Sequence, residues 1–209
     1  MLDKRIYSIM KIVFASNNPG KVAEINQLLA DTDITVSPQS DFNVSEAAET
    51  GTTFVENAII KARHASAVTQ LPAIADDSGI EIDALGGAPG VISARYGGEH
   101  GNDAKNIERV LTELGEAPID ERSARFRCVI VMMRDANDAC PLICQGTWEG
   151  RILSARQGEK GFGYDPIFYV PEQHCSAAEL APKLKNQISH RGQAMRQLIA
   201  HLQAPTAVK

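Results

Sequence analysis

No C-x-x-C pair and no metal-ligand rhythm of cysteines occurs in this chain. Its four cysteines, Cys128, Cys140, Cys144 and Cys175, stand apart without a C-x-x-C. Cys128 and Cys144 fall in apolar, strand-like runs, the usual setting of a buried free thiol, and a reducing compartment follows. No apolar run approaches the ~20 residues that a membrane-spanning helix needs. The opening MLDKRIYSIM is too short for the apolar centre and cleavage site of a secretory leader. Basic residues are in deficit too: 21 Lys and Arg against 26 Asp and Glu give a net charge of -5. Binding to a nucleic-acid polymer needs a broad basic face, which this balance argues against. A small basic pocket for a phosphorylated ligand stays open. Internal repeats and low-complexity linkers are also missing. The expectation is a cytoplasmic protein with neither a membrane nor a nucleic-acid polymer as partner.

What is present is ordinary for a globular domain. The chain has 209 residues, 44% of them hydrophobic and 22% charged, room for one large domain or two small lobes. Strands are predicted over Lys11–Ala15, Ile34–Ser37, Ala73–Ala75, Glu81–Asp83, Ala124–Met133, Leu142–Gly146 and Ile167–Val170. Helices are predicted over Lys21–Leu29, Phe54–Thr69, Asp103–Leu114 and His190–Leu202. Strand and helix alternate early, as in a parallel α/β unit, and the middle looks like a hairpin of long strands. A mixed β-sheet with flanking helices is the expected class. Ligands in such folds gather at the carboxyl ends of strands.

Five stretches could carry chemistry. In "SNNPGK", Ser16 to Lys21 join a strand to a helix. Gly20 would admit a close anion, helix N–H groups point at it, and Lys21 adds charge. Asn17, Asn18, Pro19 and Gly20 also suit a plain turn. In "AETGTTFVENAIIKARHAS", Phe54, Ala58, Ala62 and Ala65 form an inner helical stripe. Lys61 falls on that stripe, either snorkelling outward or facing a cleft, and Glu49 precedes it in a loop. In "PAIADDSGIEID", a strand delivers Asp76 and Asp77 at its end, pointing to different sides. Either this is an Asp-Ser-Gly turn, or a carboxylate there serves a hard cation such as magnesium. "GFGYDPIF" frames Phe162 with glycines, as a turn or as a ring platform for a base. In "KLKNQISHRGQ", Ser189 is a good N-cap, and His190 and Arg191 then oppose the helix dipole unless something negative meets them.

Together these stretches make an inventory for a nucleoside triphosphate and magnesium. "SNNPGK", "ETGTTFVENAIIKA", "ADDSGIEIDALGGAPGVISARY", "GFGYDPIF" and "SHRGQA", in that order, resemble the inosine/xanthosine triphosphate pyrophosphatases. The likeness runs from Lys11 to about Leu202. It implies an elongated α/β protein with two lobes around a central cleft, usually a homodimer, acting on ITP, dITP and XTP. It implies a single catalytic domain over 11–204, with tails at 1–10 and 205–209. By matching motif, Ser16, Asn17, Asn18, Pro19, Gly20 and Lys21 would hold the triphosphate. Glu49 and Asp77 would bind Mg2+, and Asp77 would accept the proton of the attacking water. Lys61 would meet phosphate oxygens near the reacting centre, and Ser78 would touch substrate. Phe162, Gly163, Tyr164, Asp165, Lys185, His190 and Arg191 would surround the purine and sugar. Asp76 would support the metal, and Arg95 would line the cleft. The competing readings are a pyrophosphatase for other triphosphates and a non-catalytic nucleotide sensor.

Overall fold

The computed structural model describes residues 10–30, 32 and 34–203. The expected tails therefore lie outside the described residues, apart from Met10, which opens the first strand opposite Ile34. The strands are β1 (Met10–Phe14), β2 (Ile34–Pro38), β3 (Ala73–Ile82), β4 (Ser123–Met133), β5 (Leu142–Ile152), β6 (Phe168–Val170) and β7 (Cys175–Ser176). They form one seven-stranded sheet in the order β2-β1-β3-β4-β5-β6-β7. β1 runs parallel to both neighbours, and the remaining pairings are antiparallel. The helices are α1 (Pro19–Leu29), α2 (Phe54–Thr69), α3 (Asp103–Leu114), α4 (Pro182–Ile188) and α5 (His190–Gln203). The class is thus the expected one, a mixed α/β sheet with flanking helices.

Alternation along the strands builds the layers. Ile12 and Phe14 of β1 face a core shared with α1 and α5, whereas Val13 and Ala15 face α2. Ala58, Ala62 and Ala65 are fully buried, and their small side chains let α2 lie close on the sheet. Thr53 and Glu56 cap α2 reciprocally, satisfying helix N–H groups that would otherwise lack partners. A third core closes over the distal halves of β3–β5, where Ile107, Val110 and Leu114 of α3 meet Ile80, Ile82 and Phe126.

Sequence expectations change at two places, besides β5 running on from the expected Gly146 to Ile152. Ala73–Ala75 and Glu81–Asp83 are not separate strands, because β3 continues through Asp-Ser-Gly for 10 residues. Turn propensity loses there to the ladder with β4, which is unbroken from Ala73 opposite Met133 to Ile82 opposite Ala124. Asp76 and Asp77 therefore sit mid-strand rather than at a strand end. The carboxyl end beside them belongs to β1, whose pairing with β3 stops at Phe14 opposite Ile74. The second change is α4, a short helix led by Pro182 in its first turn. Seven residues give little periodic signal, so the sequence pattern does not reveal it.

Gly146 fixes how α5 approaches β5. A Cβ there would collide with the backbone carbonyl of His190. Gly146→Ala should therefore cost about 1–3 kcal/mol, the usual penalty of overpacking, and push the first turn of α5 off the sheet. Urea denaturation checks this, and an unchanged midpoint would mean that α5 adjusts freely.

Candidate active site

One face of β3 reads Ile74, Asp76, Ser78, Ile80. Ile74 belongs to the α1–α5 core and Ile80 to the distal core. Asp76 and Ser78 are a polar gap between the two, beyond the end of β1. The next strand edge lacks β1 as a partner, and the turn Gly90–Arg95 leans on it instead. Ile80 N–H donates to Ser93 Oγ at 3.0 Å, and a Cβ on Gly79 would strike the carbonyl of Gly90. A cavity opens at this gap, lined by Asn18, Lys21, Ser78, Phe162, Lys185 and Arg191 among others.

The loop after β1 builds the first wall. Asn18 caps α1, accepting from Lys21 N–H at 3.1 Å, and Pro19 stands in the first helical turn. Ser16 Oγ accepts from Asn18 N–H at 3.2 Å, and Asn17 reaches Glu46 at 3.3 Å. Gly20 lies directly under the Phe162 ring, with no room for a side chain. The Lys21 ammonium pairs with Asp76.

On the opposite face of β3, Lys61 does not snorkel. Its side chain is 13% exposed, and Nζ donates to Asp77 Oδ1 at 2.6 Å and Glu49 Oε1 at 3.1 Å. Arg95 donates to the other Glu49 oxygen at 3.4 Å. Burial acts to lower the Lys61 pKa, but the carboxylates of Asp77 and Glu49 outweigh it and raise it. Burial raises the Asp77 carboxyl above its usual range against the pull of Lys61. Glu49 moves the other way, since Lys61 and Arg95 overcome its desolvation and lower it. Asp77 Oδ2 is buried without a partner. Among the described residues no cluster of three or more acidic, His or Cys side chains could hold an ion alone. Two carboxylates gathered on Lys61, one of them with an orphan oxygen, nevertheless fit magnesium, which leaves most of its positions to water and phosphate oxygens.

The far wall is a buried ion network. Lys185 Nζ donates to Asp165 at 2.6 Å and to Glu24 at 2.9 Å. Arg191 pairs with Glu24 and, through Nε at 3.1 Å, with Asp76, and also donates to Ser78 Oγ at 3.0 Å. Lys185 and Arg191 both approach the Phe162 ring, at 5.0 and 5.5 Å from its centroid. Asp165 is buried and accepts from Phe162 N–H at 2.9 Å. Gly163 N–H donates to Asp103 at 2.6 Å, and Tyr164 Oη to the Ser93 carbonyl at 2.8 Å. Glu24 is the residue that sequence reasoning missed. It lies about one helical turn beyond Lys21, outside the quoted motifs, and its partners are more than 150 residues away.

His190 is not the cation expected beside Arg191 in the first turn of α5. Its ring stacks on Phe126 at 4.7 Å, with planes 10° apart. Burial, then the adjacent Arg191 charge, holds its pKa well below 6.5, so the imidazole is neutral, and Nδ1 is buried without a partner. Stability follows from this shift. Below pH 6.5 the unfolded histidine takes up a proton that the folded one refuses. This contribution is complete above 6.5 and is lost as pH falls through the acid window. We expect the melting temperature to drop between pH 6.5 and about 5, and His190→Asn to flatten that slope. Parallel curves for the two proteins would refute this.

The family model described as Ham1 family matches residues 12–201. A protein of Vibrio parahaemolyticus called dITP/XTP pyrophosphatase is 59% identical, over 94% of this chain and 98% of its own length. One of Coxiella burnetii with the same name is 56% identical over 91% and 95%. Among solved structures, a HAM1 protein from Coxiella burnetii aligns with TM-score 0.85 and 55% identity, covering 92% of this chain and 98% of that one. The Staphylococcus aureus Ham1 protein gives 0.82 and 43%, covering 94% and 100%. The chain that arranges these residues around the end of β1 belongs to the Ham1 family.

Proposed function

We propose that the protein hydrolyses deaminated purine nucleoside triphosphates (ITP, dITP and XTP) to the nucleoside monophosphate and pyrophosphate. The observation that carries this is that β3 has a cation-lined cavity on one face and a lysine held by two carboxylates on the other. Lys21 and Arg191 line one cavity and share Asp76, while Asp77, Lys61 and Glu49 stand on the opposite side of the same strand. The Lys21 charge pulls on both carboxyls, against the burial that leaves Asp77 raised and alongside Lys61 and Arg95, which lower Glu49. Its relatives carry the name dITP/XTP pyrophosphatase.

Ser16 to Lys21 grip the phosphate chain through helix N–H groups and an ammonium. Asp77, whose pKa burial has raised, takes a proton from water as that water attacks phosphorus at the α–β linkage. The bond to the β-phosphate breaks, and pyrophosphate leaves. Lys61 meets the charge that builds on the phosphate oxygens. Glu49 and Asp77 would hold magnesium, which would supply charge neutralisation on the triphosphate. At the other end, Phe162 offers its ring to the base. Lys185 and Arg191 reward an acceptor oxygen at position 6, and adenine's amino group would leave their donors unpaired.

The test is a panel of ITP, dITP, XTP, GTP, ATP and modified pyrimidine triphosphates, read as pyrophosphate release with magnesium, manganese or chelator. Fast release from the deaminated purines, abolished by chelator, is expected. Preference for another class would favour a different pyrophosphatase, and tight ITP binding without turnover would favour a sensor. Working on the free nucleotide pool, the protein would act in the cytoplasm. No helix among the described residues is long and apolar enough to cross a membrane. We also propose a homodimer, which light scattering at micromolar concentration would reveal.

A further inference from the structure

Asp76 has no oxygen to spare. Oδ1 receives the Lys21 ammonium and, at 3.3 Å, the Ser78 hydroxyl. Oδ2 receives Arg191 Nε at 3.1 Å and the Cys128 thiol at 2.9 Å. The side chain is 0% exposed. Burial alone would raise its pKa, but Arg191 and then Lys21 hold it well below the ordinary carboxylate range. To ligate a metal it would have to release a buried cation, at heavy cost. This is the opposite of Asp77, whose Oδ2 is free of partners. Adjacent carboxylates on opposite faces of one strand have different duties.

The two cations on Asp76 come from distant parts of the chain. Lys21 opens α1 beside the phosphate loop, and Arg191 opens α5 beside Phe162. Among the described residues, no other carboxylate pairs with both. A shared carboxylate sets their separation, since both head groups contact the same side chain. Cys128 and Ser78 fix both oxygens from the sheet side, so neither cation moves without disturbing the other.

We propose that Asp76 is a positioning residue that couples base recognition by Arg191 to phosphate placement by Lys21, and is not a metal ligand. This rests on the nucleotide reading given above. A base that draws Arg191 into place thereby seats Lys21, so discrimination between bases appears in kcat as well as in KM. A misplacement of about 1 Å at a reacting group costs on the order of a hundredfold in rate.

The test uses the full chain with ITP and ATP. Asp76→Asn should lower kcat on ITP by about a hundredfold. KM should change far less, the magnesium concentration for half-maximal rate should not change, and the ITP-over-ATP ratio should shrink. Lys21→Met and Arg191→Gln should be strongly non-additive in the otherwise native protein, and additive once Asp76 is Asn. If Asp76→Asn does not fold, judged by thermal melting, the Lys21–Arg191 cycle in the native background decides alone. A tenfold or greater rise in the magnesium requirement would make Asp76 a metal ligand and overturn the proposal. Additivity of Lys21→Met with Arg191→Gln would overturn it as well. Should the native protein release no pyrophosphate from ITP, the proposed function fails instead. The same cycle read by ITP-binding calorimetry would then decide the coupling, with additive binding energies sinking it.

Discussion

Asp77→Asn should reduce kcat on ITP by about 10²–10⁴, the range that one general base contributes, while the protein stays folded. Asparagine keeps the shape and one acceptor for Lys61, but it cannot take a proton. The environment of Asp77 supports that assignment. It is 7% exposed, its pKa is raised by burial, and one oxygen is committed to Lys61 while the other has no partner. Lys61 would keep Glu49 at 3.1 Å, so the variant does not strand a buried ammonium. Circular dichroism melts should therefore shift little. Pyrophosphate release measured over a range of magnesium separates two ways of failing. A fall in kcat at saturating magnesium means a lost base, whereas rescue by more magnesium means a lost ligand. Undiminished turnover would remove Asp77 from the chemistry.

The parts of this site that were legible in the sequence are local ones. Phe54–Thr69 and Asp103–Leu114 are helices with the expected limits, because Thr53 and Asn102 cap them from within a few residues. Ser189 likewise caps α5, accepting from Gly192 N–H at 3.2 Å. The alanine stripe of α2 put Lys61 on the inner face but left open whether it snorkelled outward or faced a cleft. Alternation placed Asp76 and Asp77 on opposite faces. What could not be read was pairing over long distances. Nothing near Glu24 announces Lys185 or Arg191, and nothing in "ADDSG" shows that β4 will hold it straight. The basic corner looked cationic because its neutralising acids, Glu24, Asp76 and Asp165, lie far off in sequence. Folding brings them in, so the corner presents directed donors rather than net charge. Such a corner suits recognition of a base better than capture of phosphate.

Arg191→Ala should therefore damage both the fold and the specificity. The guanidinium is 3% exposed and satisfies Asp76, Glu24 and Ser78 together. Removing it leaves two buried carboxylates to Lys21 and Lys185 alone. Breaking a buried pair in this way costs about 3–5 kcal/mol, which for a chain of this size lowers the melting temperature by roughly 6–20 °C. The loss of a charged donor to the base should cut the ITP-over-ATP ratio in kcat/KM by on the order of tenfold to a hundredfold. Arg191→Lys separates the two consequences. Lysine restores a charge for Asp76 and Glu24 and should recover part of the melting temperature. It lacks the planar fork that reaches Glu24, Asp76 and Ser78 at once, and so should not recover the discrimination. If Arg191→Ala kept the native ITP-over-ATP ratio, base selection would have to reside in Lys185, Phe162 and the neutral ring of His190.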